Sequence, residues 1–258
     1  MHMTRGALAV AVLSVVAIGC GTRLDLKKYN GDNEGLWRIS LHAFERHNWD
    51  DAVVGFEKLT LDLPAHDTLL SRSYYYLAQA HQHKGEYLLA AQSFSRLSES
   101  FPDDSLADRS LYNAGKAYEH MWRRPDLDAT YGTSALASFE QMVTLYPGSP
   151  LAPDGQKQIA HLQEWFATKD YNTGAHYMRR GAYDSAIIYF KDVIKNYPTT
   201  ATARTASLHL VDAYRKIKYR DDANDVCAQL RAQFPQDREV KDRCGVTTAA
   251  AAVQPPGS

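Results

Sequence analysis

Apolar and polar residues alternate along this chain with the period of a helix, and one pattern recurs five times. In each copy an alanine is followed by apolar residues four, seven and eleven positions later, and by a proline twelve positions later. At about 100° per residue these offsets fall on one narrow stripe, so each copy is predicted to be an amphipathic helix. Proline cannot continue a helix and disfavours helical geometry in the residue before it, so it marks each end. The alanine and proline pairs are Ala52/Pro64, Ala90/Pro102, Ala135/Pro147, Ala186/Pro198 and Ala223/Pro235.

Each of these helices needs a partner, because a single amphipathic helix cannot bury its apolar stripe. A second helical pattern precedes each alanine, and it is clearest in the second copy, at Tyr74, Leu77, Ala78 and His81. This spacing resembles the tetratricopeptide repeat. The sequence therefore predicts an all-α fold, a right-handed α-solenoid of about five tetratricopeptide-like helix-turn-helix repeats with one extra helix before repeat 4.

The repeats are expected to form one domain over residues 34–245. Their approximate bounds are 34–64, 68–102, 105–147, 151–198 and 201–235, with a capping segment at 236–245. Repeat 3 carries about eight extra residues before its alanine, and an additional helix-length segment at 152–167 precedes repeat 4. Residues 246–258 are rich in alanine and then proline, and are predicted to be a disordered tail.

The first residues predict a targeting segment. The apolar run at 7–18 is shorter than the ~20 residues that cross a bilayer, and it has the size of a signal-peptide core. It ends at Cys20 in a sequence that resembles the lipobox of bacterial lipoproteins, where the cysteine becomes the lipidated first residue. We therefore expect a signal peptide at 1–19 and a lipidated tether at 20–33. The alternative is a short uncharged tract that happens to end on a cysteine.

The net charge and the cysteines other than Cys20 bear on how the protein is attached to a membrane and on the compartment in which it lies. The formal net charge of −1 gives no general attraction to nucleic acid or to membrane surfaces, so membrane attachment is expected only through the lipid. Gly21 follows the cysteine where aspartate would retain a lipoprotein in the inner membrane, which favours the periplasmic face of the outer membrane. In that oxidising compartment Cys227 and Cys244 could form a disulfide, and the alternative is two separate reduced thiols.

The face of each first helix away from its buried stripe is predicted to line the concave side of the solenoid. One column there reads Trp37, Tyr75, Tyr112, Tyr171 and Leu208, and another reads Glu34, Arg72, Arg109, Thr168 and Thr205. Aromatic rings give a large contact area at low entropy cost, and arginines pair with carboxylates through two hydrogen bonds. We expect a surface for a peptide that carries aromatic residues and a carboxylate, formed by Trp37, Arg72, Tyr75, Arg109 and Tyr112. For any single tyrosine, burial between neighbouring repeats is an equal alternative.

Catalytic and cofactor motifs are missing from the sequence. There is no nucleophile elbow, no phosphate-binding glycine loop and no paired-histidine helix motif. His81 and His83 lie two residues apart and on different helix faces, so they cannot share a metal ion from one helix. The sequence favours a protein that is not an enzyme and has no cofactor and no metal.

The chain resembles the BamD family of lipoproteins, which belong to the outer-membrane β-barrel assembly machinery. The stretches that carry the resemblance are 43–52, 123–139, 146–152 and 177–187, together with the interruption in repeat 3 and the extra segment before repeat 4. The chain differs from many members at Tyr189, where they carry an arginine.

The resemblance implies partners rather than a reaction. Members dock through their C-terminal repeats onto the barrel-forming subunit, BamA, and their N-terminal repeats receive unfolded outer-membrane proteins. Candidate residues for the first contact are Tyr183, Tyr189 and Arg215, and other lipoproteins of the machinery are further expected partners. The alternative is a tetratricopeptide-repeat lipoprotein scaffold of another envelope assembly, such as a pilus-assembly or cell-envelope and division complex.

Overall fold

The computed structural model describes residue 24, residue 26 and residues 31–245. Within them the chain forms helices and no strand. The helices are α1 (Asn33–Glu45), α2 (Trp49–Asp62), α3 (Thr68–His83), α4 (Tyr87–Ser100), α5 (Ala107–Met121), α6 (Thr130–Leu145), α7 (Ala152–Arg179), α8 (Tyr183–Asn196), α9 (Ala201–Lys216), α10 (Arg220–Gln233) and α11 (Arg238–Cys244). In this part of the chain no helix combines the length and the apolar character needed to cross a membrane. The predicted signal peptide, the lipidation site Cys20 and the predicted tail lie outside the described residues.

The helices stack in chain order. Each packs against the helix before it and the helix after it, and first helices of consecutive repeats also touch, α1 with α3 and α7 with α9. Contacts confined to neighbouring units are the defining property of a solenoid. The predicted all-α fold of five helix pairs is therefore confirmed: α1–α2, α3–α4, α5–α6, α7–α8 and α9–α10.

The predicted stripe of the second helices forms the core. The five alanines are 0–2% exposed, and the phenylalanines four residues later in repeats 1 to 4 are fully buried. The first helix makes room for this ring with a small residue. A Cβ on Gly115 would lie 2.7 Å from Phe139 Cε1, and a Cβ on Gly174 would lie 2.8 Å from Phe190 Cε1. Phenylalanine thus fills a gap that glycine opens.

Four of the five repeats turn between their helices through one residue with positive φ. Gly85 and Gly181 have φ of 78° and 75°, whereas His47 and Lys218 have φ of 61° and 66°. Glycine adopts this region without steric cost, and other residues are strained there. Repeat 3 has no such turn, because residues 122–129 form its longer connection between α5 and α6.

The extra helical length before repeat 4 is present, but it is not a separate helix. Residues 152–167 continue without a break into the first helix of repeat 4, and together they form the 28-residue helix α7. The helix has its one proline in the first turn, where proline is tolerated, and nothing after residue 167 interrupts the backbone hydrogen bonds. The structure therefore gives repeat 4 an extended first helix.

The segment predicted to be a tether is attached to repeat 1 through Leu24 and Leu26. The Leu24 amide donates a 2.7 Å hydrogen bond to Asp51 Oδ1, and the Asn48 side chain donates a 2.6 Å bond to Asp51 Oδ2. Asp51 is 6% exposed, so this carboxylate is a buried acceptor with both oxygens in use. Leu24 and Leu26 pack against the apolar core of repeat 1. Where it is described, the segment is docked rather than free.

The last repeat is closed by α11, whose Val240 side chain is fully buried in the core. A disulfide joins Cys227 in α10 to Cys244 at the end of α11, with the two Cα atoms 5.3 Å apart. Arg204 in α9 donates two hydrogen bonds, of 2.8 and 2.6 Å, to the Asp237 carboxylate that precedes α11. These contacts attach the predicted capping segment to both helices of repeat 5.

Candidate functional site

The predicted aromatic column packs within the repeats. In each of repeats 1 to 4 its ring lies against the core phenylalanine of the same repeat, with centroid distances of 5.3 Å (Trp37–Phe56), 5.8 Å (Tyr75–Phe94), 5.5 Å (Tyr112–Phe139) and 5.7 Å (Tyr171–Phe190). Tyr75 is only 8% exposed and Leu208 is fully buried. The Tyr75 ring is therefore used between helices, which is the alternative that the sequence left open for any single tyrosine.

Trp37 and Tyr112 keep part of their rings at the surface. Both are half-buried, since one side of each ring contacts a core phenylalanine while the rest is accessible. They remain candidates for contact with a ligand, which would reach the edge of each ring and not its whole face.

Arg72 and Arg109, the two arginines of the second predicted column, are both exposed. Each stands three residues before the aromatic position of its repeat, on the same face of α3 and α5. Neither guanidinium group makes a hydrogen bond or ion pair with another described residue. Since a guanidinium group pairs with carboxylates through two parallel hydrogen bonds, these arginines are available to a ligand.

An aromatic cluster between repeats 1 and 2 was not predicted. The Trp49 ring stacks on the His83 ring at a centroid distance of 4.2 Å and an interplanar angle of 7°, and Phe44 contacts both rings at 5.1 and 6.1 Å. Trp49 is the first residue of α2, outside the repeating stripe. Hydrophobic periodicity therefore gave no signal for it.

In the last two repeats, side chains on and near the predicted concave face make contacts within the protein. The Tyr171 hydroxyl and His209 Nδ1 form a 2.8 Å hydrogen bond between α7 and α9. Burial lowers the pKa of His209, and the nearby Arg243 lowers it further. Arg243 from α11 also pairs with Asp212 on α9 at 2.5 Å. The exposed arginines of the predicted concave face thus lie in repeats 2 and 3.

The two tyrosines predicted for partner docking lie on different sides of one helix. Tyr183 and Tyr189 are six residues apart on α8, which places them about 120° apart around the helix. Tyr189 stacks on Tyr177 at 5.4 Å and is half-buried. Arg215 is exposed near the end of α9. Tyr189 therefore fills a packing position in repeat 4.

Among the described histidines, the one with the lowest exposed fraction has a structural partner. His81 is 8% exposed, and its Nδ1 lies 2.7 Å from Glu86 Oε2. This hydrogen bond and a second one from Lys84 lower the pKa of the Glu86 carboxyl. Among the residues that the structure describes, no group of three or more His, Cys, Asp or Glu side chains could hold a metal ion.

Comparisons with known proteins cover most of the chain. The model of the family YfiO, described as an outer membrane lipoprotein, matches residues 30–230. An outer membrane protein assembly factor BamD of Caulobacter vibrioides is 27% identical over 239 residues, covering 91% of this chain and 78% of that protein. The BamD of Vibrio cholerae is 25% identical, covering 84% of this chain and 91% of that protein.

Similarity to solved structures is weaker. The crystal structure of MamA protein aligns over 84% of this chain and 98% of that chain, at 15% identity and a TM-score of 0.36.

Proposed function

The chain belongs to the YfiO family of outer membrane lipoproteins, and from that premise we propose that it is a scaffold subunit of the outer-membrane protein assembly machinery. In this role it binds the barrel-forming subunit, a BamA-like protein, and receives unfolded outer-membrane proteins for folding and insertion. The curated relatives are named assembly factors, which supports this assignment over a scaffold of a pilus or cell-envelope complex. The role requires binding surfaces and no catalytic centre.

The free inner face of repeats 1 to 3 is the proposed surface for unfolded clients. The observation that carries this step is the pair of unneutralised arginines, Arg72 and Arg109, on successive first helices. An extended peptide with a carboxylate and an aromatic side chain would pair with an arginine and lie against the exposed edge of Trp37 or Tyr112.

The C-terminal repeats are the proposed surface for the barrel-forming subunit. In repeat 5 Arg243 of α11 pairs with Asp212 of α9, so the proposed partner contacts other surfaces of α8 and α9. Tyr183 and Arg215 are the candidate residues there. Tyr189, where many relatives carry arginine, would contribute through its exposed edge.

A lipid on Cys20 is the proposed anchor, with the protein on the periplasmic face of the outer membrane. The docked position of Leu24 supports this arrangement, because it leaves few residues between the cysteine and repeat 1. Other lipoproteins of the machinery are further proposed partners.

Purification of the detergent-solubilised lipoprotein, followed by mass spectrometry of its partners, tests the proposal. We expect a large outer-membrane barrel protein with periplasmic domains, in nearly equal amount. Recovery of pilus or peptidoglycan-linked proteins in its place would favour the alternative scaffold role and overturn this one.

The client surface is tested separately with the double variant Arg72→Gln/Arg109→Gln. Its affinity for a peptide that ends in phenylalanine with a free carboxylate should fall at least tenfold, measured by fluorescence anisotropy. Arg96→Gln is the matched control, because Arg96 is exposed on the second helix α4. Equal affinities of the double variant and the control would contradict this assignment.

A further inference from the structure

A cleft lies in repeat 3 where the end of α5, the connection after it and the middle of α7 meet. Its volume is about 560 Å³, within the range of sites that enclose small ligands or peptide side chains. Lys116 and Glu119 follow Tyr112 by four and seven residues, so the cleft continues the face of α5 that carries Tyr112. The other lining residues used here are Trp122, Arg123, His161 and Trp165.

Trp122 is a fixed wall of this cleft with an unused hydrogen-bond donor. Its residue is 1% exposed, and its Nε1 atom has no hydrogen-bond partner among the described residues. The rings of Trp165 and Phe166 lie 5.4 and 4.6 Å away. A Cβ on Gly132 would lie 2.1 Å from Trp122 Cε3, so glycine leaves the space that the indole fills. Because nearly all buried donors have a partner, an unpartnered indole beside a cleft points to an acceptor supplied by a ligand.

The charge of the cleft is positive. Glu119 is shared between two cationic or titratable neighbours, Lys116 at 2.5 Å and His161 at 3.8 Å. Arg123 is exposed, and its guanidinium group pairs with none of the described residues. The next residue, Arg124, pairs with Asp126 at 3.4 Å. Arg123 is therefore the unneutralised cation of the cleft, one residue from the free indole donor.

We propose that this cleft binds an aspartate or glutamate side chain of an extended peptide. The carboxylate accepts a hydrogen bond from Trp122 Nε1 and pairs with the Arg123 guanidinium group. A carboxylate fits because it only accepts hydrogen bonds, whereas indole and guanidinium groups only donate them. The half-buried Trp165 ring offers a surface for an apolar neighbour in the peptide.

A peptide is favoured over a free small molecule because the cleft continues an open helix face. That face carries Tyr112 and Arg109 about one and two turns before the cleft, so a chain bound there can run on into it. A side chain of a continuous peptide suits this arrangement better than a chain end. The inference rests on the proposed scaffold function and adds the chemistry of one bound segment.

The indole resonance of Trp122 reports directly on this site. The chain has four tryptophans, and the indole N–H signals of the full mature chain labelled with ¹⁵N-tryptophan can be followed by NMR. The probe is an eight-residue peptide with one Asp beside a Phe, acetylated and amidated so that the Asp side chain is its only carboxylate. We expect a saturable downfield shift of the Trp122 indole proton, and at least tenfold weaker binding of the same peptide with Asn.

Neighbouring arginines provide a matched pair of variants that leave the core intact. Arg123→Gln should weaken binding at least tenfold, and Arg124→Gln should leave it unchanged, with equal helicity of both variants by circular dichroism. Equal binding of the Asp and Asn peptides, or of the two arginine variants, would overturn the proposal. So would a Trp122 shift caused only by an Asn peptide with a free C-terminus, since that outcome assigns the cleft to a chain end.

Failure of the cleft and failure of the proposed function give different results. A wild-type lipoprotein that purifies with the barrel-forming subunit but shows no Trp122 shift keeps its scaffold function and loses this site. A saturable shift without that partner keeps the site and removes the assembly role.

Discussion

The buried carboxylate of Asp51 can be separated experimentally from its exposed neighbour Asp50. Both residues lie in the first turn of α2, where negative charge favours the helix dipole, so this contribution is the same for both. Asp51 accepts hydrogen bonds from Leu24 and Asn48 and is 6% exposed. The Asp50 side chain is 79% exposed and pairs only with Lys84, at 3.0 Å, among the described residues.

The magnitudes follow from these contacts. Asp51→Ala leaves two partly buried donors without an acceptor, and hydrogen bonds to charged groups contribute about 1.5–3 kcal/mol each. Water reaching the tether would satisfy part of this loss, so we expect a decrease of about 2–3 kcal/mol in the free energy of unfolding. Asp50→Ala removes an exposed ion pair, which is worth about 0–1 kcal/mol.

Urea denaturation followed by circular dichroism measures the two free energies, on the chain from residue 20 with the cysteine replaced by serine. Hydrogen exchange at the Leu24 amide provides a local measurement, and we expect at least tenfold faster exchange in Asp51→Ala than in Asp50→Ala. Equal destabilisation by the two substitutions, with unchanged protection of Leu24, would refute the docking of this segment by Asp51.

Three further predictions concern the turns and the C-terminal repeats. Lys218→Gly should stabilise the protein by about 0.5–1 kcal/mol in urea denaturation, because relief of the strain at positive φ exceeds the entropic cost of glycine. Since burial lowers the pKa of His209 below 6.5, the unfolded chain binds more protons in acid, and stability is lost as pH falls from about 6.5 through the folded pKa. His209→Gln should lose less stability between pH 7 and 5 than the wild type, and equal losses would contradict this role. The double variant Cys227→Ser/Cys244→Ser opens a loop of 17 residues and should lower the free energy of unfolding by about 3 kcal/mol. Reducing buffer should cause no further loss of stability in this variant.

The parts of the fold that sequence could predict are those where one physical requirement repeats. Ala90, Phe94 and their equivalents occur at fixed offsets because each repeat buries the same stripe against its neighbours. Helix pairs, their order and the proline stops follow from that stripe alone. The continuity of α7 does not, since periodicity shows that a helix exists and not whether it is joined to the next.

The candidate site was harder to predict because the direction in which a side chain leaves its helix does not reveal which neighbouring side chains pack against it. Tyr75 points away from the stripe of α3, but the phenylalanine of α4 reaches its ring and buries it. Arg72 and Arg109 stand about one turn before the aromatic position on the same face of α3 and α5, and they stay exposed. Trp122 belongs to an aperiodic connection, so its burial depends on contacts between segments distant in sequence, such as those with Trp165 and Phe166.

The docking of Leu24 fixes how far the repeats can stand from a bilayer. If Cys20 carries the lipid, three residues lie between it and Leu24, and the four Cα–Cα steps span at most about 14 Å in a fully extended chain. That distance is only slightly more than the ~10–12 Å width of a single helix. The segment between the lipid and Leu24 is then a short connection, and repeat 1 stays beside the lipid headgroups. Chains that enter the inner face of repeats 1 to 3 would be held at a high effective concentration near the membrane surface.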